Sequence, residues 1–314
     1  MPRPVTRRAL AVALVVAAAC SGGGARTHQS TSPSTSTATS LTDGALDPSS
    51  DVEPASASSP PTEPAPGKTF PPGLQGTVDE FSSRQPAEFS VVAVDFGTGE
   101  RAERLADRSV LSASLYKLFV ARELLRQIDD GAIRGGDAMG DPEGRTVDQC
   151  ITAMIEVSDN DCGEAGLERV GYGTADTAIH AAGYTSTSLA TPQRTTARDV
   201  ALFFERARDG SVVGPGHDAA SARLYALLGD QQVNDRLPVG LPPGTPIAHK
   251  TGDRLHWAHD AGVFTTDEGD VLLVVLTGPW PLPCCDADHP GASEARAFGA
   301  LAHLATVVYD EVTS

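Results

Sequence analysis

Hydrophobic positions along the chain fall into three regimes. Residues 9–19 form one apolar run behind Arg3, Arg7 and Arg8. Residues 21–75 are rich in Ser, Thr, Pro, Ala and Gly, with almost no large apolar side chain before Phe70. From Gly76 onward apolar residues recur with helix and strand periods. The third regime opens with a short helix around Val78–Phe81. A strand over Phe89–Asp95 follows, turning at Gly97-Thr98-Gly99 into a second strand over Arg101–Ala106. Leu118, Phe119, Leu125 and Ile128 mark a helix that begins at Ser114 and stops at Asp129-Asp130-Gly131.

Helical periodicity then dominates. Val147–Val157 places Ile151, Met154 and Ile155 on one side and halts at Ser158-Asp159-Asn160. Asp161 is positioned to cap a helix over Cys162–Val170. Further helices are expected over Thr174–Ala182, Thr196–Asp209 and Ala219–Leu228, with a polar loop at Gly183–Gln193. Strands return at Pro246–Thr251, Ala261–Thr265 and Val271–Thr277, the last apolar enough for a central strand. Gly252-Asp253-Arg254 and Asp267-Glu268-Gly269 supply the turns, and a helix over Ser293–Val312 closes the chain. Strands, a helical block, a meander and a final helix fit an α+β (mixed α/β) fold. The first hairpin joins the last three strands in one antiparallel sheet flanked by helices, and a mostly helical subdomain is inserted beside it. A cleft between sheet and insert is the natural ligand site.

The N-terminal regimes read differently. A basic start, an apolar core too short to span a bilayer and Ala17-Ala18-Ala19 before Cys20 are the pattern of a signal peptide over residues 1–20. Small residues before a cysteine resemble a lipoprotein processing site, which makes Cys20 the lipidation candidate and the outer face of the membrane the anchor point. Arg7-Arg8 adds a hint of twin-arginine export. Residues 21–75 lack the apolar surface to fold and form an extended tether. The folded domain is residues 76–314, and the expected location is exported and extracytoplasmic. The net charge of −17 lacks the basic face that nucleic-acid binding needs, so no nucleic-acid partner is expected, although a local cationic pocket for an anion remains compatible with it.

Candidate chemistry begins with the lysines. Of 24 basic residues only Lys68, Lys117 and Lys250 are lysine. Arginine keeps its proton at working pH, whereas a desolvated lysine can lose it and act as a base. Ser114 lies one helical turn before Lys117, so a hydroxyl and an amine share one face near the positive end of a helix. Ser158 and Asn160 project from an inter-helix turn, and Asn160 is one of only two asparagines. His249 alternates with Lys250 to the opposite strand face. His256, His259 and His289 have no metal-ligand spacing. No metal and no cofactor is expected. Besides Cys20, Cys150, Cys162, Cys284 and Cys285 can pair outside the cytoplasm in three ways. A Cys150–Cys162 bridge would brace the turn between them.

Ser114-Leu115-Tyr116-Lys117, Ser158-Asp159-Asn160 and Lys250-Thr251-Gly252 stand in this order, on a helix start, a turn and a strand. Over residues 76–314 the sequence resembles the class A β-lactamase-related serine hydrolases, which share this trio with penicillin-binding proteins. The resemblance implies that Ser114 is acylated by a β-lactam or a peptidoglycan stem peptide and that Lys117 takes its proton. Ser158 then relays a proton to the leaving nitrogen, and Asn160 holds the substrate amide. Lys250, Thr251 and Gly252 line the substrate-carboxylate side, and the backbone N–H groups of Ser114 and Asp253 form an oxyanion hole. One departure matters. The glutamate that activates water for deacylation in hydrolytic class A enzymes has no counterpart, because Gly171–Arg198 contains no glutamate. Asp176 and Asp199 are the nearby carboxylates, with Asp199 expected on the surface, as are Glu164 and Glu168. The alternatives are therefore a D-alanyl-D-alanine carboxypeptidase or transpeptidase, and a non-catalytic wall-binding lipoprotein.

Overall fold

The computed structural model describes residues 72–281 and 294–314. The apolar run at 9–19, Cys20, residues 21–71, Cys284, Cys285 and His289 lie outside the described residues. Helix α1 spans Leu74–Ser83, just ahead of the expected start at Gly76. Strands β1 (Phe89–Asp95) and β2 (Arg101–Arg104) form the first hairpin. A short strand β3 (Val110–Leu111) leads through a 3₁₀ turn, Ala113–Leu115, into α2 (Tyr116–Asp129). The helical block continues with α3 (Val147–Glu156), α4 (Asn160–Val170) and α5 (Tyr172–Ala181). After β4 (Arg194–Thr195) come α6 (Ala197–Asp209), α7 (Asp218–Gly229) and the single turn α8 (Leu237–Gly240). The meander is β5 (Ile247–Arg254), β6 (Trp257–Thr266) and β7 (Gly269–Thr277), and α9 (Glu294–Val312) follows.

The five long strands form one antiparallel sheet in the order β2-β1-β7-β6-β5, while β3 and β4 pair separately. The expected joining of hairpin and meander is the β1–β7 ladder, Phe89 opposite Thr277 through Asp95 opposite Val271. Its composition explains why β1 and β7 are central. Successive side chains leave opposite faces of a strand, so both faces must be apolar when helices cover both. Val92, Val94, Leu272, Val274 and Leu276 enter the core shared with the helical block. Phe89, Val91, Ala93, Val271, Leu273 and Val275 enter a second core against α1 and α9. The sheet is thus sandwiched, with β2 and β5 as its edge strands.

Three local expectations are corrected. Asp159, not Asp161, caps α4: its Oδ1 accepts the Cys162 backbone N–H at 2.8 Å, so the helix starts at Asn160. Gly252-Asp253-Arg254 is not a turn but the end of β5, paired with His259, Ala258 and Trp257, and the reversal falls at Leu255-His256. Partner strand β6 supplies the ladder that local turn propensity cannot foresee. Asp199 is buried rather than on the surface. Its Oδ2 accepts the Ser186 N–H at 2.9 Å and the Thr187 hydroxyl at 2.8 Å, tying the 183–193 segment to α6. Asp176 braces the same segment through the Ser188 hydroxyl and the Leu189 N–H. The Cys150–Cys162 disulfide is formed and joins α3 to α4 across the Ser158 turn. Closing a loop with a sequence separation of 12 restricts the unfolded chain by about 3 kcal/mol.

Asp199→Ala removes one acceptor from two donors, and an orphaned buried donor costs about 1–3 kcal/mol. Urea titration should show a lower midpoint with an unchanged slope, together with faster proteolysis within residues 183–193.

Candidate active site

Three elements converge on one small volume: the turn into α2, the α3–α4 turn and the edge strand β5. Lys117 and Lys250 are both fully buried. Lys117 Nζ donates to the Ser158 carbonyl at 2.6 Å and to Asn160 Oδ1 at 2.8 Å. It also stands 3.3 Å from Ser114 Oγ and 3.4 Å from Ser158 Oγ. Lys250 Nζ donates to Ser158 Oγ at 2.9 Å and to the Thr251 carbonyl at 3.0 Å. Two amines therefore share one hydroxyl, and the nucleophile candidate lies beyond the first amine.

Electrostatics favours losing a proton here. Burial pushes the Lys117 amine down to about 8, against the opposing pull of Asp159, Asp253 and Glu164. Burial, then the neighbouring Lys117 and Arg236, drive Lys250 well below the ordinary lysine range. An ammonium has three protons, while four oxygens surround Lys117 Nζ. In the neutral amine the lone pair can instead accept the Ser114 proton, which turns the longer 3.3 Å contact into an O–H···N hydrogen bond.

Local structure holds each group in place. Ser114 sits inside the 3₁₀ turn rather than at the first α-helical residue. The turn is anchored where the Ser112 N–H meets the Gln193 carbonyl at 3.0 Å and where His259 Nε2 lies 2.7 Å from the Leu111 carbonyl. His259 Nδ1 accepts the Thr277 N–H at 3.1 Å, so Nε2 carries the proton. Burial, opposed by that bond to Leu111, lowers its pKa to about 4, and it is neutral at all working pH. Ser158 adopts a left-handed φ of 59°, a conformation uncommon for a non-glycine residue. Asp159 holds that turn twice, capping α4 and taking both Arg145 Nη atoms at 3.0 Å.

Two glycines make room. A Cβ at Gly163 would lie 2.4 Å from the Tyr116 hydroxyl and 2.6 Å from Lys117 Cε. A Cβ at Gly252 would lie 3.2 Å from both the Leu115 N and the Ser112 carbonyl. The β5 backbone at Gly252 therefore lies against the turn carrying Ser114.

Ser114, Lys117, Ser158, Asn160 and Lys250 are thus brought together by direct contacts, with Thr251, Gly252 and Asp253 beside them on β5. The sequence left Gly163, Arg145 and Arg236 unmarked, and it set His259 aside as lacking metal-ligand spacing. It also gave His249 little weight, although His249 Nδ1 meets buried Asp260 at 2.9 Å and Nε2 meets Asn234 Oδ1 at 2.8 Å. Arg236 is buried and donates to the His259 carbonyl at 2.9 Å and to Asp253 Oδ1 at 2.5 Å. The rarity of asparagine singled out Asn234 without indicating what it would touch. A hydrogen-bond acid cluster at Asp141, Cys150 and Cys162 has metal-like proximity, but its two sulfurs are consumed in the disulfide.

A family model described as a β-lactamase enzyme family matches residues 73–312. Among solved structures, PBP-A superposes with a TM-score of 0.65 at 20% identity, over 77% of this chain and 98% of its own. A point mutant of PBP-A, titled as an acyl-enzyme complex with penicillin G, gives the same 0.65 at 20%, over 77% and 98%. A β-lactamase from Burkholderia vietnamiensis gives 0.63 at 19% identity, over 76% of this chain and 96% of its own. Comparison with curated protein sequences gives no match.

Gly163→Ala should lower the rate at which an acylating agent reacts at Ser114 by about tenfold or more, because the amine is displaced from its acceptors. Alanine favours helix over glycine by up to about 1 kcal/mol, which offsets only part of an overpacking cost of about 1–3 kcal/mol, so the melting temperature should fall by a few degrees at most. The acylation rate of the unaltered protein should increase with pH through about 8 and then level, as Lys117 becomes neutral. Stopped-flow acylation between pH 6 and 10 reads this directly.

Proposed function

The chain belongs to the β-lactamase enzyme family and is a serine β-lactamase-like hydrolase, and from that premise we propose that Ser114 forms an acyl-enzyme with β-lactams or related D-alanyl peptides. The observation that carries this reading is the 3.3 Å approach of Ser114 Oγ to the buried, proton-poor amine of Lys117. Lys117 accepts the Ser114 proton as Oγ attacks the carbonyl carbon. The C–O bond forms, and negative charge collects on the carbonyl oxygen. The backbone N–H groups of Ser114 and Asp253 are the donors for that charge, a role worth roughly 10²–10³ in rate for each donor. Ser158, set between the two amines, passes a proton to the leaving nitrogen as the C–N bond breaks. Asn160 holds the substrate amide and fixes Lys117. Thr251 and Lys250 line the far side of the leaving group.

Deacylation is slow in this reading. Gly171–Arg198 contains no glutamate, and the two aspartates nearby are spent on bracing. That supports a second reading, a penicillin-binding D-alanyl-D-alanine carboxypeptidase or transpeptidase, in which an amine can compete with water for the acyl group. Either role places the substrate in the peptidoglycan. Export, a lipid at Cys20 and a tether reaching into the wall complete the proposal, supported by the pattern of residues 1–75.

Time-resolved intact mass after addition of a penicillin should show a stoichiometric adduct that persists for minutes or longer. Ser114→Ala should abolish it, while Lys117→Ala should slow its formation by about 10³-fold or more. An undiminished adduct on the Ser114→Ala protein would overturn the mechanism. An acceptor D-amino acid that shortens the lifetime of the adduct separates transpeptidation from hydrolysis.

A further inference from the structure

Arg236 has no step in the mechanism above, although burying a charge is costly unless it is paired and hydrogen-bonded. Its side chain is 2% exposed, and its guanidinium carbon lies 4.0 Å from the centre of the Phe298 ring. Nη1 donates to the His259 carbonyl at 2.9 Å and Nη2 to Asp253 Oδ1 at 2.5 Å, while Nε lies 3.2 Å from the half-exposed Asp235 carboxylate. One planar fork thus ties β6 to the end of β5. The segment that carries it is fastened on both sides. Asn234 Oδ1 lies 2.8 Å from His249 Nε2 on β5, and the Leu237 N–H donates to Asp260 Oδ2 on β6 at 3.0 Å.

Its two acceptors lead to the two backbone N–H groups assigned to the oxyanion. His259, whose carbonyl Arg236 holds, reaches with Nε2 to the Leu111 carbonyl, in the segment that runs into the turn carrying Ser114. Asp253 is held more directly, through its own side chain. It stands two residues before the reversal at Leu255-His256, on an edge strand paired only with β6. Strand ends of this kind open readily when little packs on them. The Asp253 side chain is 43% exposed, so the sealed guanidinium behind it is the anchor that binds this strand end to the interior.

Resting on the acyl-enzyme reading above, we infer that Arg236 is a positioning residue for the oxyanion hole: it holds the Asp253 backbone directly, and the turn carrying Ser114 through His259, in one fixed relative placement. It meets neither the substrate nor the reacting atoms, and being sealed from solvent is what keeps the placement rigid. Arginine suits this task because its planar fork fixes acceptors on two strands at once, which the flexible amine of lysine cannot do. Donors aimed in advance at the developing charge lower the barrier, and misplacing a group by about 1 Å can cost about 10²-fold.

The test reads the ester carbonyl of the penicillin acyl-enzyme by infrared difference spectroscopy, because hydrogen bonds from the oxyanion hole weaken the C=O bond and lower its frequency. It compares the unaltered protein with Arg236→Met, Arg236→Lys, Asp253→Ala and the Arg236→Met/Asp253→Ala double variant, all of which keep the backbone N–H groups of residues 114 and 253. Acylation rates are taken at saturating penicillin on the alkaline plateau, where Lys117 is neutral in every variant. Arg236→Met should raise the carbonyl frequency and slow acylation by about tenfold to 10²-fold. Arg236→Lys should recover little of this, and Asp253→Ala, which breaks one of the two contacts, should give a smaller change in the same direction. The double variant should match Arg236→Met within about twofold, since the two side chains act through one contact. An unmoved carbonyl frequency in Arg236→Met overturns the inference, however far the melting temperature falls, and so do losses that multiply in the double variant. Should Arg236→Met fail to fold, Asp253→Ala at the surface decides alone: a raised frequency upholds the inference and an unmoved one overturns it. Absence of an adduct on the unaltered protein overturns the acyl-enzyme reading itself, and this inference with it.

Discussion

Two primary amines buried around one hydroxyl are the constraint on which the rest depends. A charged amine taken from water into a packed interior is costly unless it is paired, and neither Lys117 nor Lys250 has a carboxylate within hydrogen-bonding distance among its contacts. The fold meets this by surrounding them with oxygens from three different elements and by lowering their affinity for protons. Each of those elements must then be held to within a few tenths of an ångström. Arg145 and the Cys150–Cys162 bridge hold the Ser158 turn, His259 holds the segment before Ser114, and Gly163 and Gly252 permit the close approach. An amine that gives up its proton more readily than an ordinary lysine is the return on that arrangement.

The architecture explains why the site lies at a boundary. One face of the sheet packs on α1 and α9 and the other on the helical block, so the interior of both layers is filled. The two edge strands, β2 and β5, retain backbone groups with no strand beside them, and β5 is the one that borders the turn carrying Ser114. Such an edge is a liability for uncontrolled pairing, and here the turn carrying Ser114 covers it at Gly252. Oxyanion-hole donors require backbone N–H groups that are neither paired in a ladder nor lost to bulk water. In the proposed mechanism, an edge strand facing a tight helix-start turn is what would supply that combination.

Much of this was legible in the sequence because it rests on local patterns. The double-faced apolar run Val271–Thr277 announced a central strand, and lysine scarcity focused attention on Lys117 and Lys250. The residues that were misjudged act through distant partners. Asp199 is an ordinary first-turn carboxylate by sequence, yet the donors it serves are the Ser186 N–H and the Thr187 hydroxyl in another segment. Gly252-Asp253-Arg254 has turn composition, and only the ladder with β6 makes it strand. Arg236 and His259 carry no motif at all. Their roles come from chain segments on either side that meet only after the sheet and helices have packed, and hydrophobic periodicity carries no record of such polar contacts.

The carboxylates show how one scaffold can separate forming an acyl-enzyme from releasing it. In the proposed mechanism acylation draws on a base beside the hydroxyl, Lys117, with no acid group among its hydrogen-bond contacts. Release to water needs a second base on the other side of the ester, and the segment between α5 and α6 is where one would stand. There, Asp176 and Asp199 accept hydrogen bonds that keep the segment folded back on the helices. Those bonds fix the orientation of both carboxylates, so neither is free to turn toward a water at the ester. Converting the proposed slow release into fast turnover therefore calls for an additional carboxylate in this segment, since redirecting either existing one would loosen the loop that must present it.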